Sequence, residues 1–65
     1  MPHLHPVRSS AIAAIGYDPE RRELEVEFPS GRSYTHYDVP EEVYEEFMAS
    51  GSKGTFYNLQ IKGVY

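Results

Sequence analysis

The sequence predicts an α+β fold: a small three-stranded antiparallel β-meander followed by one or two short helices packed on one face of the sheet (β-β-β-α-α). Residues 23–28 alternate between apolar and acidic side chains, which is the pattern of a half-buried strand. Proline and glycine turn signals at 18–22 and 29–31 set this stretch apart from its neighbours. Residues 43–48 carry apolar side chains at helical spacing.

The strands are predicted in the first half of the chain. Residues 1–8 contain two prolines and no periodicity, so we interpret them as an extended lead-in. Residues 9–17 are small and apolar. Alanine favours a helix there, but Gly16 and Pro19 leave little room for one, so we prefer a strand. The alternating stretch is the second strand, and residues 32–37, rich in β-forming side chains, are the third.

The helices are predicted in the second half. Asp38 is interpreted as an N-cap that forms a capping box with Glu41, and Gly51 ends this first helix. Residues 53–62 are predicted to form a second, short amphipathic helix. The part of this segment at 55–61 (TFYNLQI) reads almost as well as a strand, and both interpretations remain open.

Several motifs in this chain occur in the order found in a known family. They are Ser9-Ser10-x-Ile12 with Ile15-Gly16-Tyr17-Asp18; Leu24-x-Val26-x-Phe28-x-x-Gly31-x-x-Tyr34 with Val39-Pro40; and Ser52-Lys53-Gly54 with Phe56-Tyr57-Asn58 and Ile61. From about Val7 to Tyr65 the chain resembles the KTSC domain. The resemblance implies one such domain over residues 1–65, of a kind found alone in bacterial proteins and at the C-terminus of some lysyl-tRNA synthetases.

The resemblance implies a module whose function is not established, although nucleic-acid binding has been suggested from the synthetase context. The family's central Tyr-x-Tyr motif falls on Tyr34 and His36, so histidine replaces the second tyrosine, and Tyr37 stands next to it. The arginine that usually follows the last isoleucine is Lys62 here. Both differences weaken the transfer of a specific stacking or phosphate-binding role to these positions.

Charge is unevenly distributed along the chain. All ten acidic residues and three arginines lie in residues 18–46, which carry a formal charge of −7, whereas the remainder carries +3 within a total of −4. Phosphate neutralisation supplies most nucleic-acid affinity, so the total argues against strong binding, and the acidic stretch is typical of a solvated surface. A weak RNA or tRNA site remains a hypothesis, with these candidate residues: Arg8, Arg32, Tyr34, His36, Tyr37, Lys53 and Lys62.

Two groups of candidates also have a purely structural interpretation. The aromatic residues of the third strand would stack nucleobases or pack under the helix; we favour packing for Tyr34 and leave His36 and Tyr37 open. Anion binding is a hypothesis for Ser52, Lys53, Gly54 and Thr55, where amides and hydroxyls gather at a predicted helix start, and a serine-capped turn is the favoured alternative.

Other function classes find little support in the sequence. Ser9, Ser10, His36 and Asp38 lack a nucleophile-elbow context, so we expect no enzyme and no cofactor. The chain has no cysteine, and two lead-in histidines make no metal site. No signal pattern or membrane-length apolar stretch occurs, so we expect a cytoplasmic protein. The rival hypothesis is a protein-binding or homodimeric module that uses its tyrosines or a sheet edge.

Overall fold

The computed structural model describes residues 3–65 as an antiparallel sheet followed by helices, which confirms the α+β prediction. The sheet has the order β1-β2-β3-β4, with every neighbouring pair antiparallel. The strands are β1 (His5–Pro6), β2 (Ala14–Asp18), β3 (Glu23–Glu27) and β4 (Ser33–His36). The helices are α1 (Glu41–Ala49) and α2 (Lys53–Phe56), and α2 continues into a π-helical turn (Tyr57–Ile61).

The sheet has four strands rather than the predicted three, because part of the lead-in pairs with β2. His5 lies opposite Ile15, and Pro6 lies opposite Ala14. A two-residue strand that contains proline has no hydrophobic alternation, so nothing in the sequence marks it. Gly16 makes the approach possible, since a Cβ at this position would lie 2.7 Å from the backbone oxygen of His3. Residues 1 and 2 of the predicted lead-in lie outside the described residues.

The other strands confirm their predictions with shorter bounds. β2 occupies only the end of the predicted 9–17 segment, because Ser9 forms a turn in which its Oγ accepts hydrogen bonds from the backbone N–H groups of Ala11 and Ile12. The turn predicted at 18–22 joins β2 and β3, and a carboxylate oxygen of Asp18 accepts hydrogen bonds there from the backbone N–H groups of Glu20 and Arg21. Gly31 has a φ of 92° in the turn before β4, a conformation that glycine adopts without strain.

The core lies between the sheet and the helices. Leu24 and Val26 of β3 are fully buried, which confirms the face predicted from the alternating pattern. They pack with residues from β2, α1 and the C-terminal helical segment; the buried cluster comprises Ile12, Ile15, Leu24, Val26, Val39, Phe47, Tyr57 and Ile61. The glutamates of β3 therefore point to the opposite face of the sheet. Among them Glu25 is largely covered, opposite Gly16 and Thr35.

The start of α1 differs from the prediction. Asp38 has a φ of 58°, in the left-handed region, and Pro40 is the N-cap residue without any side-chain cap. The predicted capping box between Asp38 and Glu41 is therefore wrong. Val39 between Asp38 and Pro40 is fully buried, and its N–H donates to the oxygen of Arg22. Burial of Val39 thus determines the backbone path into the helix, and capping does not.

The end of the chain is helical, so the helix interpretation of residues 53–62 is confirmed and the strand alternative is wrong. The Lys62 N–H donates to the Tyr57 oxygen at 2.8 Å, five residues back, which defines the π-helical turn. This turn buries Tyr57 and Ile61 against the sheet. Across residues 3–65, no helix has the length and apolar character that a bilayer crossing requires.

Candidate functional site

A polar cleft of about 500 Å³ lies between the loop that precedes β2 and the start of α2. Every residue of the predicted anion site lines it, together with Arg8 and Asn58. Its lining residues are Arg8, Ser9, Ser10, Ala11, Gly51, Ser52, Lys53, Gly54, Thr55 and Asn58. We call this surface the polar cleft.

The walls of the polar cleft are held together by a close contact. A Cβ on Gly54 would lie 2.8 Å from the Cβ of Ala11. The start of α2 and the loop before β2 therefore touch at position 54, where there is no side chain. Ile12, the next residue of the loop, is fully buried and anchors it to the core. Nothing in the sequence marks Ser9, Ser10 and Ala11 as cleft residues, because only the fold brings them beside α2.

Several polar groups in and beside this cleft are hydrogen-bonded to other groups of the protein. The Lys53 ammonium donates to the backbone oxygens of Met48 at 3.0 Å and Ser50 at 2.6 Å, where the last carbonyls of α1 have no helical partner. The Ser52 Oγ donates to the Thr55 Oγ1 at 2.9 Å, and the Ser52 N–H donates to the Ser50 Oγ. Lys53 therefore has a structural role at the end of α1. The serine-capped turn was the favoured alternative to an anion site. Ser52 is the N-cap residue of α2, but its side chain bonds to the Thr55 hydroxyl and makes no cap hydrogen bond.

A second cleft, of about 400 Å³, lies between β4 and the C-terminal helical segment. It is mainly apolar, and it is lined by Phe28, Tyr34, His36, Tyr57, Asn58 and Lys62. Three of these residues were predicted as candidates: Tyr34, His36 and Lys62. The other three were not: Phe28 and Tyr57 carry the apolar pattern of core residues, and the motif that contains Asn58 does not indicate a site. We call this surface the aromatic cleft.

The rings of the aromatic cleft meet edge to face. The centroids of Phe28 and Tyr34 are 5.7 Å apart at 73°, and those of Phe28 and Tyr57 are 5.3 Å apart at 79°. His36 and Tyr57 are 5.4 Å apart at 68°. Tyr34 is 49% exposed, so its predicted packing under the helix is wrong. It shares the core face of the sheet with Val26, its partner on β3, but β4 is the edge strand and the helices leave this ring open to solvent.

Hydrogen bonds hold the histidine at the end of β4. The His36 Nε2 lies 2.9 Å from the Tyr57 hydroxyl, and its Nδ1 lies 3.3 Å from the backbone oxygen of Tyr65. Because a backbone oxygen only accepts, Nδ1 carries the proton and Nε2 accepts from the Tyr57 hydroxyl in the neutral ring. Burial raises the pKa of Tyr57 above 10.0, and the nearby Tyr34 raises this pKa further.

The two clefts adjoin, because Asn58 lines both. Arg8 and Lys53 line the polar cleft and Lys62 lines the aromatic cleft, so three of the four basic candidates come to one continuous surface. Arg32 and Tyr37 are exposed but line neither cleft. The structure therefore groups most of the predicted residues and separates these two from the rest.

A metal centre has little basis in the described part of the chain. The rings of His3 and His5 lie 5.1 Å apart, edge to face. Within residues 3–65, no three side chains among histidine, cysteine, aspartate and glutamate come together in a way that would hold an ion.

Known structures and sequences resemble this chain over almost its whole length. The crystal structure of a KTSC domain protein from Yersinia pestis superimposes with a TM-score of 0.94 at 42% identity, covering 98% of this chain and 90% of that one. A protein from Tsukamurella paurometabola is 44% identical over 59 residues, which is 91% of this chain and 88% of the relative.

A lysine–tRNA ligase from a Nostoc species contains a similar segment. It is 39% identical over 64 residues, which is 98% of this chain but 11% of the ligase. The family model for the KTSC domain matches residues 8–65. Fold, relatives and family model agree, and the chain belongs to the KTSC domain family.

Proposed function

We propose that this domain is a non-catalytic module that binds RNA weakly through the polar and aromatic clefts. The observation that carries the proposal is the meeting of Arg8, Lys53 and Lys62 on adjoining clefts of a chain whose total charge is −4. A local basic surface attracts phosphates even when the whole chain is acidic. The related segment in a lysine–tRNA ligase supports RNA as the partner.

The distribution of the acidic residues supports the same surface. Glu23, Glu25 and Glu27 alternate with the buried residues of β3 and point to the face of the sheet opposite the aromatic cleft. Repulsion between these carboxylates and a bound phosphate is thereby reduced by distance and screening.

Salt-dependent binding tests the proposal. Bulk tRNA should bind at about 20 mM salt, and the logarithm of the binding constant should fall with the logarithm of salt concentration with a slope of about −2 for three phosphate contacts. The double substitution Arg8→Glu with Lys62→Glu should lower the affinity and reduce the magnitude of the slope. Within residues 3–65, neither side chain makes a hydrogen bond comparable to those of Lys53, so these sites test charge without removing the support of α1.

Arg21→Glu is the matched control for charge. Arg21 is exposed in the turn before β3. Phe28, which lines the aromatic cleft, follows the opposite end of that strand, so Arg21 lies away from this cleft. Its reversal changes the total charge by the same amount as Arg8→Glu alone and should leave the salt slope unchanged. Absence of tRNA binding at low salt, or binding without a salt slope, would contradict the proposal.

A second candidate function, a protein-binding or self-associating module, has one specific observation in its favour. β4 is at the edge of the sheet, and Tyr34 and Tyr37 are exposed on or beside it. An exposed edge strand is a site where another chain adds a strand. Light scattering over a concentration series distinguishes a homodimer, whose apparent mass rises with concentration, from a monomer, whose mass stays constant.

A further inference from the structure

We infer that the aromatic cleft receives one unpaired nucleobase while the adjoining polar cleft takes a phosphate of the same strand, so that the domain prefers single-stranded RNA to duplex. This inference rests on the proposed RNA binding and adds the form of RNA and the location of the base.

The ring geometry of the aromatic cleft leaves flat surface available. Elsewhere, the pairs Tyr17–Tyr44 and Phe47–Phe56 stack nearly parallel, at 10° and 13°. In the aromatic cleft every ring pair is close to perpendicular. A perpendicular pair covers a face of only one of its rings, whereas a parallel pair covers a face of both. A flat ligand therefore finds an aromatic face here, and the half-exposed Tyr34 offers the most accessible one.

The polar groups around these rings suit a nucleobase. Asn58 is exposed at the junction of the clefts, and its amide offers both a donor and an acceptor to a base edge. Lys62 is exposed at the same cleft and provides a cation. Every base has an aromatic face, so stacking on Tyr34 is tolerant of sequence.

One helix connects the two clefts. Thr55 lines the polar cleft, Asn58 lines both, and Lys62 lines the aromatic cleft. Lys62 follows Thr55 by seven positions along this segment, a rise of no more than about 10 Å, since the π-helical part rises less per residue than the α-helical value. A single nucleotide spans such a distance between its base and a neighbouring phosphate, so one strand reaches both clefts. Arg8 provides the exposed positive charge at the phosphate end.

A duplex does not satisfy this arrangement. Its bases are stacked and paired in the interior, and the deep, narrow major groove of A-form RNA excludes side chains. Tyr34 lies in a concave cleft, where only a base turned out of its stack makes face-to-face contact.

The experiment compares three probes at equal concentration: a short oligouridylate, an abasic oligoribonucleotide with the same number of phosphates, and a blunt RNA duplex. The chain has six tyrosines and no tryptophan, so quenching of tyrosine fluorescence reports stacking directly. The oligouridylate should bind about 5- to 150-fold more tightly than the abasic strand, which is the range expected for one stacked base. Tyr34→Ala should abolish this difference.

Tyr37→Ala is the matched control. Tyr37 is 61% exposed and lies beside β4, but it lines neither cleft, so its removal should leave the difference between the two strands unchanged. Tyr34→Phe keeps a ring at the cleft and should retain binding of the oligouridylate. Far-ultraviolet circular dichroism of each variant confirms that the fold is intact.

The outcomes separate this inference from the proposed function. Equal binding of the oligouridylate and the abasic strand, with the salt slope preserved, would overturn the base site but leave RNA binding intact. Preferential binding of the duplex would also overturn the base site and leave RNA binding intact. If none of the probes, nor tRNA, binds at low salt, the proposed function itself is overturned.

Discussion

In and beside the polar cleft, Lys53, Ser50 and Ser52 direct their hydrogen bonds at one another and at the end of α1, whereas in the aromatic cleft Tyr34 keeps half of its surface open. The first contains a turn, at residues 50–53, whose polar groups already have partners. The second is an opening in the aromatic packing at the edge of the sheet. Residue type alone is therefore a poor guide to a binding surface, because the polar motif with the clearer sequence signal has fewer free hydrogen-bonding groups than its residue types suggest.

The largest expected effect on stability concerns Tyr57, the buried residue that lines the aromatic cleft. Tyr57 is buried in the core cluster, and Tyr57→Ala should lower the free energy of unfolding by about 3 kcal/mol or more, as for other large-to-small core substitutions. Urea denaturation measures this change. Leu59→Ala, two residues away at a side chain that is 70% exposed, should change stability by less than about 0.5 kcal/mol. Similar losses for both would show that Tyr57 is not part of the core.

An intermediate effect is expected in the polar cleft. Lys53→Met keeps most of the aliphatic side chain but leaves two carbonyls at the end of α1 without their charged donor. The free energy of unfolding should fall by about 1.5–3 kcal/mol, which is the range for hydrogen bonds to charged groups. Because Lys53 is only half-buried, we expect a decrease in the lower part of this range. Lys62→Met removes an exposed ammonium and should have almost no effect on stability. Equal effects of the two substitutions would contradict the structural role of Lys53.

The smallest effect concerns alkaline pH. The pKa of Tyr57 is raised above 10.0 because burial disfavours the phenolate and Tyr34 adds to this effect. The folded state thus favours the neutral hydroxyl, so the contribution to stability is complete below about pH 10 and is lost as the pH rises through the folded pKa. Burial also raises the pKa of Tyr17, so an absorbance titration of phenolate should show late steps from both residues, and Tyr57→Phe should reduce their amplitude. A variant that loses absorbance only from the earlier steps would refute the assignment.

The sequence predicted the sheet and helices well where a periodic pattern coincides with burial. Glu23–Glu27 is the strand that its alternation indicates, and Phe47 is buried on the apolar stripe of α1. Local capping rules failed at Asp38, because burial of the adjacent Val39 determines the backbone path there. The short strand His5–Pro6 escaped prediction because pairing with β2 and the absence of a side chain at Gly16 create it.

The candidate site was predictable in composition but not in arrangement. Arg8, Lys53 and Lys62 stood out because they lie outside the acidic stretch, and the fold brings them to adjoining clefts. Asn58, which joins the clefts, belongs to the motif Phe56-Tyr57-Asn58, but nothing in that motif distinguishes a cleft residue from a structural one. Exposure of Tyr34 also depends on the place of β4 at the sheet edge, a property of the assembled sheet and not of the strand.

The π-helical turn at Tyr57–Ile61 sets the direction in which the last basic side chain points. A π-helical turn holds one residue more than an α-helical turn, and the bond from Lys62 to Tyr57 spans this extra residue. If the same residues adopted α-helical pitch, the chain after them would be rotated by about 100°, the angle of one α-helical residue. Lys62 would then turn away from the aromatic cleft. A change from the π-helical to the α-helical hydrogen bond, with no change of sequence, is therefore enough to remove a cation from this cleft.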